Sequence, residues 1–160
     1  MDTLVMYFSY SGRTHYEAKR TAERVDGELY EVREQRRRSM LSLYLLGPRQ
    51  ARKKSFVYVE PIAVNLSEYD RVIILCPIWG GWPAPAFNSI VRELPQGIEV
   101  QIILTSDSGK AKDLAAVRRS VERRGVTVTS ATVIKTEDLR KRDREHEKRR
   151  RLERMSKGEE

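Results

Sequence analysis

The sequence predicts an α/β protein in which helices cover both faces of a parallel sheet, that is, a three-layer sandwich. Two observations carry this prediction. Short apolar runs alternate along the chain with stretches of helical spacing, and several of the helical stretches end at a glycine. Such alternation is typical of parallel sheets, because each strand needs a helical crossover to reach the next one. Five strands are expected, and right-handed crossovers leave few arrangements of them.

The first half of the chain contains two predicted strands and two predicted helices. Residues 3–8 form an apolar run typical of a buried strand, and residues 29–32 alternate like a second, shorter strand. Between them a helix begins near Thr14 and stops at Gly27, with small apolar residues along one face. Residues 39–46 are too apolar for a free loop and are interpreted as a packed helix, which the Gly-Pro pair that follows would end.

The second half of the chain continues the alternation. Pro77 is expected to end the strand at 71–76, which is the first strand of this half. The alternating threonines of the final strand suit the edge of a sheet. The predicted elements are the strands at 71–76, 100–104 and 126–134 and the helices at about 87–94 and 110–124.

Composition excludes several classes of protein. At 160 residues the chain fits one domain with its own core. A single cysteine, Cys76, rules out an internal disulfide framework or a multi-cysteine metal site, and it is interpreted as an inert core thiol. No Gly-x-Gly-x-x-Gly and no phosphate loop ending in Gly-Lys-Ser/Thr occurs. The N-terminus is unlike a signal peptide, and no apolar run approaches the roughly 20 residues that span a bilayer. A cytoplasmic protein without a transmembrane segment is therefore expected.

Positive charge is concentrated in one part of the chain. The net charge is +8, and residues 33–54 alone hold eight basic residues and one acidic residue. This cluster lies within an irregular basic insertion at about 34–66, and charge of this kind speeds association with an anionic partner. The apolar residues 39–46 inside it could cover the sheet, form a homodimer contact, or lie on a membrane with their arginine flanks, in that order of preference.

The tail at 137–160 differs from the rest of the chain. It holds ten basic and eight acidic residues with few apolar ones. Such a segment forms an exposed helix of opposite-charge neighbours, or stays disordered. A solvated helix is favoured over nucleic-acid binding, because the nearby glutamates cancel most of the positive field. No specific nucleic-acid partner is expected.

Three loops leave strands at the edge of the sheet where ligands bind in open parallel sheets. The first loop (residues 9–14) places hydroxyls and one glycine between a strand and a helix, which is how α/β proteins bind phosphate. The second loop (residues 77–84) places two glycines between two tryptophans, and the third loop (residues 105–110) is small and rich in hydroxyls. Together they predict a site for a mononucleotide with a large planar ring.

These loops resemble those of the flavodoxins. The run Ser9-Tyr10-Ser11-Gly12-Arg13-Thr14 resembles their phosphate loop, Thr/Ser-x-Thr/Ser-Gly-x-Thr. Residues 77–86 are similar to their flavin loop, and residues 105–109 match the third flavin loop in position. The resemblance implies one bound FMN, electron transfer, and a five-stranded parallel sheet in the order 2-1-3-4-5 within a domain of residues 1–136.

The resemblance also implies a set of cofactor-binding residues, while no catalytic residue and no metal ligand is assigned. A backbone group of the Gly80-Gly81 turn is expected to lie near flavin N5 and to tune the one-electron potentials. The phosphate would be held by Ser9, Tyr10, Ser11, Gly12, Arg13 and Thr14. The ring would contact Pro77, Ile78, Trp79, Gly80, Gly81 and Trp82, with Thr105, Ser106, Asp107, Ser108 and Gly109 near its polar edge.

Three departures from the flavodoxin pattern shape the functional prediction. Flavodoxins are usually acidic, so this basic chain would exchange electrons with an acidic redox protein such as a ferredoxin. Arg13 either pairs with the phosphate or points to solvent. The third loop lacks an aromatic ring, which leaves one flavin face to a tryptophan or open to a substrate.

Two alternative functions remain. One is an FMN-dependent NAD(P)H:quinone reductase or protoporphyrinogen-oxidase-like enzyme acting on a small acceptor such as a quinone. The other is a flavin-free module that binds RNA or an anionic surface. For His15 a solvent-facing position in the first helical turn is favoured over a proton donor, and for Asp107 a turn residue is favoured over a general acid near the flavin.

Overall fold

The computed structural model describes residues 1–36 and 38–156, and Arg37 of the basic cluster and residues 157–160 of the tail lie outside them. Five parallel strands form one sheet in the order β2-β1-β3-β5-β6. A two-residue strand, β4, pairs antiparallel with the end of β3. The strands are β1 (Thr3–Tyr7), β2 (Glu28–Glu31), β3 (Arg71–Trp79), β4 (Trp82–Pro83), β5 (Glu99–Ser106) and β6 (Thr127–Lys135). With β4 set aside, this order confirms the predicted 2-1-3-4-5 arrangement of a flavodoxin-like sheet.

Helices cover both faces of the sheet, as predicted. The strand residues alternate between two cores because successive side chains point to opposite faces. Val5 and Ile73 pack with Ala18 and Ala22 on one face, and the other core contains Leu4. The helices are α1 (Arg13–Val25), α2 (Met40–Arg52), α3 (Pro85–Glu93), α4 (Leu114–Glu122) and α5 (Thr136–Ser156), with one 3-10 turn at Leu66–Glu68.

Strand register brings the predicted loops to the same edge. Tyr7, near the end of β1, pairs with Leu75 of β3, and Pro77 of β3 pairs with Thr105 of β5. The first and third loops therefore leave the sheet on either side of the extended end of β3.

The second loop is a β-hairpin, so the prediction that Pro77 ends its strand is wrong. β3 continues through Pro77 to Trp79, and Trp79 pairs with Trp82. The extension is stabilised because Ala84 N donates a hydrogen bond to Pro77 O at 2.9 Å. Only Gly80 and Gly81 form the turn. Residues 77–84 are called the hairpin below.

α2 is also longer than predicted, because Gly47 and Pro48 lie inside the helix rather than ending it. Gly47 is buried against the hairpin, where an added Cβ would lie 3.1 Å from Trp79 Cε3. The proline removes one helical hydrogen bond, and the glycine permits close packing. Ser39 caps the helix, since its Oγ accepts a hydrogen bond from Ser42 N at 3.2 Å.

The last two helices refine the predicted boundaries. α4 begins at Leu114 rather than near residue 110, because the Asp113 carboxylate accepts a hydrogen bond from Ala116 N at 2.8 Å and caps the helix there. Residues 110–113 therefore extend the third loop. The tail forms α5, the exposed-helix alternative, and α5 packs against α1 and β6. Within the described residues, no helix combines the length and apolar character needed to cross a bilayer.

Candidate functional site

The first loop presents an open helix terminus. Gly12 has a left-handed φ of +88°, and its N–H donates to Ser9 Oγ at 3.0 Å. Among the described residues no side chain caps α1, and its first turn contains no acidic residue. A Cβ at Gly12 would meet no atom within 4 Å. The amides at the start of α1 and the positive end of its dipole are therefore available to an anion.

Arg13 and Thr14 connect the first loop to the third. Arg13 Nη1 lies 3.3 Å from Asp107 Oδ1, so Arg13 pairs with a carboxylate instead of pointing freely to solvent. Thr14 Oγ1 lies 2.9 Å from Thr105 Oγ1 in a buried contact. These two buried hydroxyls join the first loop to the third loop. The Arg13–Asp107 pair is exposed, with 36% and 85% of the two side chains accessible.

The hairpin turn is built from two glycines with positive φ, +60° at Gly80 and +91° at Gly81. Gly81 O accepts a hydrogen bond from Lys112 N at 2.8 Å, which joins the hairpin to the extended third loop. A Cβ at Gly80 would lie 2.8 Å from Pro48 Cβ in α2. The turn is therefore held between α2 and the third loop.

Both tryptophans of the hairpin lie under cations. The Arg38 guanidinium lies 5.4 Å from the centre of the Trp79 ring, and Lys54 Nζ lies 5.5 Å from that of Trp82. Phe8 meets Trp79 edge-on with the ring centres 5.8 Å apart. Within the described part of the chain, the buried Trp82 Nε1 has no hydrogen-bond partner. The sequence prediction expected two indoles beside a ligand and missed the cations above them.

Arg38 is held in place by a buried network. Its Nε lies 2.9 Å from Glu34 Oε2, and these two side chains are only 9% and 8% exposed. Arg38 Nη1 also donates to Gln50 Oε1 at 2.5 Å, and Tyr10 Oη donates to Arg38 O at 3.0 Å. The basic cluster therefore supplies an internal ion pair as well as surface charge.

The serine hydroxyl groups of the third loop form hydrogen bonds within the loop itself. Ser106 Oγ and Ser108 Oγ lie 3.0 Å apart, and Lys110 N donates to Ser108 Oγ at 3.2 Å. Asp107 is exposed and reaches Arg13, and Gly109 has a φ of +72°. The loop is a preformed turn with a carboxylate on its outside.

A cavity of about 610 Å³ lies between the first loop, the end of β2 and Arg38, and its lining residues Phe8 and Arg38 also contact Trp79 of the hairpin. The sequence prediction missed it. At its wall His15 Nδ1 lies 2.5 Å from Tyr7 Oη, so the exposed His15 has a specific partner. Burial raises the pKa of Tyr7, the charge of Glu31 raises it further, and the charge of Arg33 lowers it. No signal in the sequence separated this histidine from an ordinary surface residue.

The structure brings the predicted residues of all three loops to one edge. Phe8 contacts the hairpin, Arg13 contacts the third loop, and Lys112 joins that loop to the hairpin turn. Pro77 and Ile78 lie in β3, partly buried below this edge. The described residues contain no cluster of three or more histidine, cysteine or acidic side chains placed to hold a metal ion.

The fold and this edge define a flavodoxin-like α/β protein. No family model and no curated protein matches the sequence. Solved structures do match, including a flavoprotein in complex with FMN from Lactobacillus acidophilus NCFM, with 22% identity, a TM-score of 0.72, and coverage of 82% of this chain and 92% of that one. A flavoprotein described as putative from Bacteroides eggerthii has 21% identity, the same TM-score, and coverage of 87% and 93%. An NADPH-quinone reductase from P. pentosaceus has 8% identity, a TM-score of 0.51, and coverage of 85% and 86%. At these identities the likeness establishes a shared fold.

Proposed function

We propose that this protein binds one FMN across the first loop, the hairpin and the third loop, and that it transfers electrons. The observation that carries the proposal is the open, uncapped start of α1 beside a glycine turn on the same edge of the sheet. The FMN of the Lactobacillus flavoprotein, bound to the same fold, supports it.

The first loop fits the phosphate of FMN. A phosphate needs several converging donors, and the amides at the start of α1, the exposed Ser11 and the guanidinium of Arg13 supply them. Asp107 competes for Arg13, because it holds that guanidinium at 3.3 Å. Phosphate binding is therefore expected to draw Arg13 away from the third loop.

The hairpin fits the flat ring of the same nucleotide. Gly80 is exposed, and the turn presents backbone without side chains to a planar ligand, while Pro48 and Lys112 fill the space behind the two glycines. Bound FMN supplies the one- and two-electron chemistry, and the chain's residues bind and orient it. The ring reaches Trp79 only on the part of the indole that Arg38 leaves open, or after Arg38 has moved.

An acidic redox protein such as a ferredoxin is the partner we propose. The chain carries a net charge of +8, with Arg13 at the start of α1 and the exposed Lys110 and Lys112 in the extended third loop. Positive charge around a site steers an anionic partner toward it and makes association sensitive to salt. A cytoplasmic location is part of the same proposal.

Titration of FMN and of riboflavin into the apoprotein, followed by quenching of flavin fluorescence, tests cofactor binding. FMN is expected to bind at least about 100-fold more tightly, because riboflavin lacks the phosphate that the helix terminus binds. Ser11→Asp places a carboxylate at that terminus and should abolish the preference, whereas Ser67→Asp on the distant 3-10 turn should preserve it. Absence of FMN binding would overturn the proposal and favour a flavin-free module that binds RNA or another anionic partner.

Stopped-flow mixing of the reduced FMN-loaded protein with an oxidised acidic ferredoxin tests the carrier function. The second-order rate is expected to fall steeply as salt rises, because the attraction is between opposite charges. A slow rate that does not depend on salt would contradict the proposed partner.

The cavity beside the first loop favours one second candidate, an FMN-dependent NAD(P)H:quinone reductase. The cavity has the size of a small-molecule site, and His15 and Tyr7 at its wall are groups that can exchange protons with an acceptor. The matching structure from P. pentosaceus is described as an NADPH-quinone reductase. Steady-state quinone reduction by NADPH would establish this function, and its absence alongside rapid exchange with ferredoxin would establish the carrier.

A further inference from the structure

The outer face of α2 carries apolar side chains that the fold leaves uncovered. Leu41, Leu45 and Leu46 are 69%, 66% and 48% exposed. The opposite face of the helix is packed, since Gly47 and Ala51 are buried. Exposed leucines on successive helical turns form a continuous apolar strip rather than scattered surface contacts.

Positive charge lies at both ends of this strip. Arg36 precedes it, and Arg49, Arg52 and Lys53 follow it, all with exposed side chains. Within residues 1–36 and 38–156, none of these four cations forms an ion pair. Residues 35–59 contain no aspartate or glutamate. Among the described residues, the apolar strip is therefore flanked at both ends by unpaired positive charge.

Two aromatic residues extend the apolar surface. The chain after α2 returns past its first turn, so that Phe56 and Tyr58 border the same cavity as Ser42 and Arg36. Phe56 is 60% exposed and Tyr58 is 85% exposed. Aromatic rings beside leucines and arginines are the residues that interfacial helices place at the boundary between lipid headgroups and acyl chains.

We propose that this surface, the outer face of α2 with Phe56 and Tyr58, binds the surface of an anionic lipid bilayer. The leucines and aromatic rings would enter the apolar boundary while the four exposed cations contact anionic headgroups. A second copy of the chain fits less well, because two such faces would bring eight like charges together. The leucines project from a convex helix face, which suits a deformable lipid layer better than a preformed protein pocket.

The surface also lies next to the candidate functional site. Pro48 and Gly47 of α2 contact the hairpin directly, at the positions of Gly80 and Trp79. Binding through α2 would therefore hold the hairpin beside the bilayer surface. The contact itself needs no cofactor, so its test is independent of FMN.

Co-sedimentation with vesicles tests the proposal on the full chain without added flavin. Vesicles of phosphatidylcholine mixed with phosphatidylglycerol are compared with vesicles of phosphatidylcholine alone. Binding to the anionic vesicles is expected to be at least about tenfold stronger, and to weaken as salt rises, because four cations contact the headgroups. Equal and negligible binding to both vesicle types would overturn the proposal.

Paired substitutions separate this surface from the protein's general positive charge. Leu41→Glu with Leu45→Glu should lower binding to anionic vesicles at least about tenfold, since two apolar anchors become charged. Leu152→Glu with Met155→Glu is the matched control, because these α5 residues are 57% and 67% exposed. Circular dichroism verifies that both variants fold. Equal losses in the two variants would show that net charge alone drives binding and would overturn the proposal.

A fluorescent probe then reports where the protein meets the lipid. The native thiol, Cys76, is fully buried, so Leu45→Cys can be labelled selectively with an environment-sensitive dye, and Met155→Cys provides the control. A blue shift on vesicle addition at position 45 alone supports the proposal. A blue shift with an acidic ferredoxin but not with vesicles would overturn it and assign this face to a protein partner.

Discussion

The first loop and the hairpin lie at the same edge of the sheet, yet they differ in how complete they are without a ligand. The first loop is open, with an uncapped helix terminus and no atom within 4 Å of a Cβ at Gly12. The hairpin is enclosed, with Arg38 above Trp79 and Pro48 against Gly80. The anion site is therefore preformed, whereas access to the ring site depends on the positions of Arg38 and Pro48 in the insertion. Preformed sites lose less free energy on binding.

The difference arises from which part of the chain supplies the contacts. The first loop is held by Ser9 Oγ, which accepts a hydrogen bond from Gly12 N, and by its contacts with Thr105 and Asp107 of the third loop. The hairpin is held by residues about thirty positions earlier in the sequence, in and beside α2. Substitutions in α2 should therefore affect the hairpin more than the first loop, which meets the insertion where Tyr10 Oη donates to Arg38 O.

Arg38→Ala should have the largest effect on stability. It leaves Glu34, whose side chain is 8% exposed, as a buried carboxylate without its guanidinium. Breaking such a pair costs about 3–5 kcal/mol, whereas breaking an exposed pair costs about 0–1 kcal/mol. Arg33→Ala is the matched control, because Arg33 pairs with Glu31 at 2.6 Å while 64% exposed. Urea unfolding measures both, and equal losses would show that the buried Arg38–Glu34 pair contributes no more to stability than an exposed one.

Gly80→Ala should follow, with a loss of about 2–3 kcal/mol, because it combines backbone strain at φ +60° with a contact of 2.8 Å to Pro48. Gly12→Ala should lose only about 1 kcal/mol, since its φ is strained but its surroundings are empty. Gly97→Ala is the control away from the site, with a φ of +82° and no atom within 4 Å. Thermal unfolding ranks the three variants. If Gly80→Ala matched the other two, α2 would not enclose the hairpin.

Local patterns in the sequence were sufficient to predict the alternating strands and helices and the first loop, whereas the strand order came from the resemblance to flavodoxins. The apolar runs that become β1, β3 and β5 are nearly continuous, as expected for strands buried on both faces, and β6 alternates as expected for an edge strand. The glycine and hydroxyls of the first loop stand next to one another, so their shared position follows from the chain itself.

The enclosure of the hairpin could not be predicted in this way, because it depends on tertiary contacts. Pro77 reads as a strand end, but pairing with β4 carries β3 past it. Gly47 and Pro48 read as a helix end, but packing against Trp79 and Gly80 keeps α2 intact. The sequence predicts Arg38 to be a surface charge, but Glu34 and Gln50 hold its guanidinium over the Trp79 ring. In each case a distant partner overrides a local preference.

Arg13→Ala should weaken FMN binding about tenfold, equivalent to about 1.4 kcal/mol, and leave riboflavin binding unchanged, because the guanidinium acts on the phosphate. Asp107→Asn should strengthen FMN binding by about threefold, since it releases Arg13 from an exposed pair. Arg24→Ala, at the far end of α1, is the control. Fluorescence titration with both flavins measures these effects. An equal change for riboflavin would place Arg13 at the ring rather than at the phosphate.

The smallest effect should be a change in the pH dependence of stability that Tyr7 causes. Tyr7 lines the cavity beside the first loop. Burial first, and then the charge of Glu31, raise the pKa of Tyr7 above its ordinary value of 10.0. The unfolded chain therefore loses this proton first, so stability is full below pH 10 and falls as pH rises through the folded-state pKa. Tyr7→Phe removes the hydroxyl and should flatten that fall, whereas Tyr58→Phe, on a residue that is 85% exposed, should not. Urea midpoints compared at pH 8 and above pH 10 measure the slope. If Tyr7→Phe kept the wild-type slope, the Tyr7 hydroxyl would be as accessible to water in the folded protein as in the unfolded chain.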